Sequence, residues 1–410
     1  MRLLSRLVRS LIRVGRLTVI DSAGGRYVVE GAPGPQVSVR LHDKDTGRRL
    51  ALLPQLYLGE AYMDGSLTVE DGGDIYDLLQ LLMINGRSLY GHPFIRFLDR
   101  IRSLCRRLQQ RNPVARARRN VAHHYDLSGQ LYDLFLDSDR QYSCAYFATA
   151  HDSLEQAQEN KKRHLAAKLL LEPGMRVLDI GSGWGGLAIY LAQLGASEVI
   201  GVTLSSEQQR IASERAAAAG LAGRVRFHLQ DYRQIEGRFD RIVSVGMFEH
   251  VGLGHYPEFF AKLKQLLAED GVALLHAIGR TEGPGVTNAW LAKHIFPGGY
   301  SPALSEVLPA VEKSGFWVTD LEILRLHYAY TLREWRRRFA ANRGRIKAIY
   351  DERFCRMWEF YLAAGELAFS HQDHMVWQLQ LARDPQAVPI TRDYMFDWER
   401  AQPSRARLAI

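Results

Sequence analysis

The sequence predicts an α/β fold: a doubly wound parallel sheet with added helices, preceded by a smaller α+β domain. Three observations carry that prediction. Short apolar runs alternate with segments of helical period from 175 to 277, at MRVLDI (175–180), Glu198–Val202, Val225–Leu229, Phe239–Val245 and Val272–Ala277. The first run leads through GSGWGG (181–186) into Leu187, Tyr190, Leu191 and Leu194 at helical spacing, closed by Gly195. The chain of 410 residues, 47% apolar and 24% charged, is long enough for two or three domains with sizeable cores.

The opening segment, MRLLSRLVRSLIRVGRL, contains no acid. As a helix it places Arg2, Arg6, Arg9, Arg13 and Arg16 within an arc of roughly 80°. Leu3, Leu4, Leu7, Val8, Leu11 and Ile12 cover the opposite side. That pattern suits a helix lying on an anionic membrane surface. A face packed on its own domain and a cleaved presequence are the other readings. Strands follow at Leu17–Ile20, Arg26–Glu30 and Gln36–Leu41, punctuated by Gly24-Gly25 and Pro33-Gly34-Pro35, and then helices. Residues 1–90 are therefore read as an α+β domain that associates with lipid or forms a homodimer. Residues 91–120 are read as a basic helical linker, since nine Arg between Arg96 and Arg119 face only Asp99. Phosphate binding is the obvious use of that stretch. Residues 121–410 complete the division.

Charge and cysteines narrow the setting. Residues 1–120 hold 20 Lys/Arg against 11 Asp/Glu, a net +9, out of +8 for the whole chain. Cys105, Cys144 and Cys355 are too few and too far apart for a disulfide framework, which fits a reducing cytoplasm. With no run of roughly eighteen apolar residues, a spanning helix is not expected. No metal site is expected either.

The loop after 180 is the strongest local signal. A strand, a glycine turn and a helix bind a cofactor at the strand's carboxyl end and the helix N-terminus. Gly181, Gly183 and Gly186 also satisfy the dinucleotide spacing, so the loop alone leaves two cofactor classes open. Asp179, two residues before Gly181, makes D-x-G-x-G, which resembles the first motif of class I S-adenosylmethionine methyltransferases. That resemblance implies that Asp231, with Tyr232 beside it, reads the adenine. One feature departs from the usual pattern. The second strand lacks a terminal acid for the ribose and ends Gly201-Val202-Thr203-Leu204-Ser205.

The departure matches one family. GVTLSSEQ (201–208) resembles the cyclopropane-fatty-acyl-phospholipid synthases and mycolic acid methyltransferases, as do HHYDLS (123–128), QYSCAYF (141–147), SVGMFEHVG (244–252) and LLHAIG (274–279). LGEAYMDG (58–65) looks like the front domain of the long members that act on phospholipids. The resemblance implies transfer of a methylene from S-adenosylmethionine to the cis double bond of an unsaturated phospholipid acyl chain. It further implies a carbocation deprotonated by bound bicarbonate, with a peripheral position at the inner face of the membrane. Methylation without ring closure is the neighbouring outcome. The matching positions for the anion are Cys144, Glu249, His276, Ile278 through its backbone N–H, and Tyr328. Those for the cofactor are Tyr142, Ser143, Asp179, Gly181, Gly183, Gly185, Thr203, Leu204, Gln208, Asp231 and Tyr232. Family members carry a cysteine in a YLxxC segment where this chain has Gly365, so a mechanism resting on that thiol does not transfer. Six of the seven Trp lie from 290 onward, suited to an acyl slot or to ordinary core. A nucleic-acid methyltransferase is disfavoured, because MFEHVG stands where an amine-positioning D/N-P-P-Y/F motif would follow the fourth strand.

Overall fold

A computed structural model describes residues 2–86, 110 and 129–402. The basic stretch Arg96–Arg119, Gln110 apart, and the HHYDLS segment lie outside the described residues. The chain divides into two units. The first takes Met1–Arg106, Val286–Pro297 and Leu332–Asp373; the second takes Arg107–Gly285, Gly298–Thr331 and His374–Ile410. The expected division at 1–90, 91–120 and 121–410 is contiguous in sequence, whereas these units are not.

The first unit holds a four-stranded sheet of β1 (Val14–Ile20), β2 (Arg26–Glu30), β3 (Ala32–Leu41) and β4 (Leu67–Val69), in the order β2-β1-β3-β4. The hairpin β1–β2 is antiparallel, while β1 and β3 run parallel. Asp74 starts the helix Ile75–Ile84 with a reciprocal capping box to Asp77. The helix Pro54–Asp64 stops at Gly65, where φ is +74°, a conformation that glycine adopts without penalty. Both helices pack against Glu352–His371, nearly three hundred residues further along. The opening helix, Arg2–Leu11, buries Leu4, Val8 and Leu11 in this unit, with Ile12 after it. It lies against Lys44–Leu52 and β2. Arg6, Arg9 and Arg13 remain exposed. Its apolar stripe is thus consumed by its own domain, and the arginine face alone is left for a surface.

The second unit carries β5 (Arg176–Ile180), β6 (Glu198–Thr203), β7 (Val225–Leu229), β8 (Phe239–Val245), β9 (Leu267–Arg280), β10 (Trp317–Ile323) and β11 (His374–Ala382). Their order is β10-β11-β9-β8-β5-β6-β7. Strands β5 to β9 are mutually parallel, as expected. Strand β11 runs antiparallel to both β9 and β10, so the sheet is mixed rather than wholly parallel. Neither of these last two strands is among the runs read from the sequence. Side chains of β5 alternate between two cores: Leu178 and Ile180 join Phe248, Phe259 and Trp377, while Val177 joins Leu165, Leu191 and Val243. The sheet is covered on both faces, and its parallel strands all end at one edge. The site forms there.

Candidate active site

Beyond the carboxyl ends of β5 to β8 lies a cavity of about 1190 Å³, counted out to its open mouth. Tyr142, Ser143, Asp179, Gly181, Gly183, Thr203, Leu204, Gln208, Asp231 and Tyr232 all border it. The loop after β5 explains its glycines. Gly183 has φ +53° with open space where a Cβ would stand, and a Cβ on Gly181 would meet Met247 at 2.8 Å. Gly185 carries a packing demand as well. Its φ is +82°, and a Cβ there would come within 2.6 Å of the Phe227 ring, so helix packing on β7 requires this glycine.

At the end of β6 the missing acid is replaced by a carboxamide. Thr203 Oγ1 donates to Gln208 Oε1 at 2.8 Å and accepts the Ser205 N–H at 3.2 Å. Ser205 in turn caps the helix Ser206–Ala218 through the Gln208 N–H. The Gln208 amide NH₂ remains as a donor at the rim. Asp231 is already engaged: its carboxylate takes the Arg233 backbone N–H, Nε and Nη2 at 3.0, 2.8 and 2.7 Å. Arg233 was not foreseen from sequence. Tyr232 is held edge-on to Phe259, with ring centroids 5.3 Å apart.

Tyr142 and Ser143 sit on a segment fastened from beneath by the helix Leu154–Lys168. Gln158 Nε2 donates to the carbonyls of Gln141 and Ser143 at 3.2 and 3.0 Å. Lys161 Nζ donates to Gln141 Oε1 at 2.6 Å and to Ser143 Oγ at 2.8 Å. Asp137 accepts the N–H groups of Asp139 and Gln141. Tyr142 itself meets Tyr132 and Phe135 edge-on. Lys161 is fully buried and borders the cavity. Desolvation lowers its ammonium to about 8. The same cause raises Asp179 to about 7, and one oxygen of that carboxyl is buried without a hydrogen-bond partner among the described residues.

The five positions expected to hold an anion fall into two linked sets. Glu249 stands on a short turn, Phe248–His250, directly after β8. Its Oε1 accepts the Ile278 N–H at 2.6 Å, while Oε2 is buried with no partner among the described residues. The Ile278 amide, expected to face the anion, donates to Glu249 instead. Burial lifts the Glu249 carboxyl to about 7. His276 lies two residues before Ile278 on β9, on the same side of the strand. Gln378 sits across from it on β11, and its side-chain amide meets His276 Nδ1 at 3.2 Å. Desolvation holds the ring well below its ordinary value, in the neutral form.

In the second set, Cys144 Sγ lies 3.3 Å from the Ala145 carbonyl, and burial pushes its thiol far up, so it stays protonated. The Ala145 N–H donates to Thr331 Oγ1 at 3.0 Å. Thr331 lies one turn beyond the buried Tyr328 in the helix His327–Ala341. The two sets share one electrostatic neighbour: Lys161 acts on Cys144, Asp179 and His276 alike. Lys161, Gln378 and Thr331 were all missed from sequence. A signal existed for Lys161, which interrupts the stripe Leu154, Ala157, Leu165 at helical spacing.

The remaining candidates are structural. Gly365 packs on Leu332, where a Cβ would lie 3.3 Å from Leu332 Cδ1. Trp290, Trp335, Trp358 and Trp377 are fully buried core, while Trp317 is 56% exposed.

Comparison with known proteins agrees with this geometry. A family model described as mycolic acid cyclopropane synthetase matches residues 113–379. The cyclopropane-fatty-acyl-phospholipid synthase of Escherichia coli (strain K12) is 40% identical over 345 residues, covering 84% of this chain and 87% of that protein. The tuberculostearic acid methyltransferase UfaA1 of Mycobacterium tuberculosis (strain ATCC 25618 / H37Rv) is 37% identical over 371 residues, covering 86% and 85%. The solved structure of mycolic acid cyclopropane synthase CmaA1 complexed with SAH and CTAB superposes with a TM-score of 0.62 at 33% identity, covering 66% of this chain and 99% of that one. A cavity at the carboxyl ends of the parallel strands, a glycine loop after β5 and this breadth of match lead to one statement: the chain belongs to the mycolic acid cyclopropane synthetase family of S-adenosylmethionine-dependent methyltransferases.

Proposed function

We propose that this protein transfers a methylene unit from S-adenosylmethionine to the cis double bond of unsaturated acyl chains in membrane phospholipids and closes a cyclopropane ring, with bicarbonate as the base. One observation carries the reading: Glu249, tied to the Ile278 amide, keeps a buried oxygen without a partner among the described residues, two positions along β9 from the buried, neutral His276. The cavity fits the cofactor. Gly183 leaves room at the loop, Asp179 offers an unpaired oxygen, and Gln208 stands where ribose hydroxyls need a partner. S-adenosylmethionine, when bound, supplies an electrophilic methyl group on a sulfonium. Bicarbonate, when bound, supplies a base that is a weak nucleophile.

Ring closure from a cationic acyl chain requires loss of one proton without capture of the cation by a lone pair. The wall supports both demands. Cys144 is held as a thiol, so no thiolate competes. One ring nitrogen of His276 is occupied by Gln378. The His276 ring and the Tyr328 hydroxyl can donate to an anion's oxygens, while ionised Glu249 accepts its hydroxyl hydrogen and sets its orientation. Tyr142 and Ser143, tied down by Gln158 and Lys161, form a cover that keeps water from the cation.

Methylation of the same alkene without ring closure is the second reading, favoured by the relative named as a tuberculostearic acid methyltransferase. Lipids extracted after expression of wild type and Glu249→Ala test both. We expect cyclopropane ring protons by NMR with wild type and their loss in the variant. Branched-methyl or methylene signals in place of ring protons would favour the second reading, and an unaltered ring yield in the variant would remove Glu249 from the mechanism.

A further inference from the structure

We infer that Lys161 takes the α-carboxylate of the cofactor's amino-acid end, forming with Asp179 a receptor for a zwitterion; this rests on the cofactor reading above. Lys161 is fully buried, and its two acceptors among the described residues, Gln141 Oε1 and Ser143 Oγ, are both neutral. Among the described residues it enters no ion pair. Its neighbours on the same helix do: Lys162 pairs with Asp139 and Glu159, and Lys168 with Asp320 and Glu322. Asp137 is the nearest source of negative field, but its oxygens are committed to the backbone amides of Asp139 and Gln141. An ammonium buried without a carboxylate is costly, and an anionic ligand group relieves that cost.

The matching charge lies in the same wall. Asp179 is buried, feels Lys161 electrostatically, and forms no hydrogen-bonded pair with it among the described residues. Two opposite charges that face one cavity without neutralising each other complement a ligand carrying both signs on adjacent atoms, as an α-amino acid does.

Distance along the sheet agrees. Ser143 lies beside Gly246 just past β8, and Lys161 Nζ is 2.8 Å from its hydroxyl. Asp231 and Tyr232 follow β7. In the order β8-β5-β6-β7 that is three strand spacings, about 14 Å. An extended nucleoside-linked amino acid with its adenine near Asp231 therefore brings its charged end to Lys161 and Asp179.

The test compares two probes by titration calorimetry: S-adenosylhomocysteine and S-adenosyl-3-thiopropylamine, which is the same molecule without the carboxylate. Wild type is expected to prefer the first by about tenfold or more, the range of a hydrogen bond to a charged group. Lys161→Met is expected to bring the two affinities within about threefold, chiefly by weakening the first, while Lys161→Arg retains the preference. Met removes an uncompensated buried charge at similar volume, so the variant is expected to fold; Lys161→Gln serves as the second variant. A preference that survives in both neutral variants, or is absent from wild type, overturns the assignment of Lys161. Failure of wild type to bind either probe overturns the cofactor reading itself.

Discussion

Glu249 shows how one residue's environment becomes a measurable property. Its carboxyl is raised from 4.5 to about 7 by burial, so the folded state holds its proton more tightly than the unfolded chain does. By linkage, folding stability then declines as pH rises from about 4.5 to about 7 and stays lower above that. Glu249→Gln keeps an acceptor for the Ile278 N–H and cannot ionise. The variant is expected to melt several degrees higher than wild type at pH 8, a gain on the order of 3 kcal/mol at most, and to lose that advantage near pH 4.5. Scanning fluorimetry across pH checks this, and an equal melting temperature at pH 8 would show that the carboxylate is not desolvated. Residues in quoted motifs were legible one by one; their partners were not. Gln378, which meets His276 Nδ1, lies 102 positions away on a strand outside the runs read from the sequence.

At the scale of elements, the helix Leu154–Lys168 is the part on which the site depends. One face supports Ser143, while His164 anchors the terminal helix Asp393–Ala401. Its Nδ1 meets Glu399 and its Nε2 meets Glu322 at 2.7 Å, so both ring nitrogens face carboxylates, which raise the ring above its ordinary value against the opposing cost of burial. The His164 contribution to stability is present below about 6.5 and is lost as pH rises through its elevated value. Glu322 is shifted the other way by the same contact, and its contribution is lost as pH falls below about 4.5. The clamp is therefore strongest in mildly acidic solution. Glu399→Gln is expected to raise hydrogen exchange selectively in 393–401 and to flatten the loss of protection on the alkaline side. Unchanged exchange there would mean that apolar packing, with Met395 buried, holds the helix alone.

At the scale of the molecule, the first unit is completed by Val286–Pro297 and Leu332–Asp373. A fragment ending at residue 120 lacks the helix Glu352–His371, against which two of its own helices pack. Such a fragment is expected to give a largely unfolded circular dichroism spectrum, and a cooperative melt would contradict this. The same packing changes how membrane contact should be tested. Deleting residues 1–17 would remove buried Leu4, Val8, Leu11 and part of β1, and so unfold the unit. Replacing exposed Arg6, Arg9 and Arg13 by Gln leaves the core intact. If the unit docks on anionic lipid, each Arg contributes about 1 kcal/mol, and the triple variant loses about two orders of magnitude in vesicle affinity with no change in S-adenosylhomocysteine binding. Equal sedimentation of both proteins with anionic vesicles would remove this surface from the function.

The sequence by itself determined the strands β5 to β9, the glycine loop, the cofactor class and the family. These depend on local periodicity and on motifs a few residues long, where neighbours in sequence are neighbours in space. Tertiary structure alone decided the antiparallel β11, the interleaved units, the packing role of Gly185, and the placement of Lys161, Gln378 and Arg233 around the site. Each of those follows from burial and from partners up to hundreds of positions apart, and the price of hiding a charge or an amide becomes visible only once the chain has closed around it.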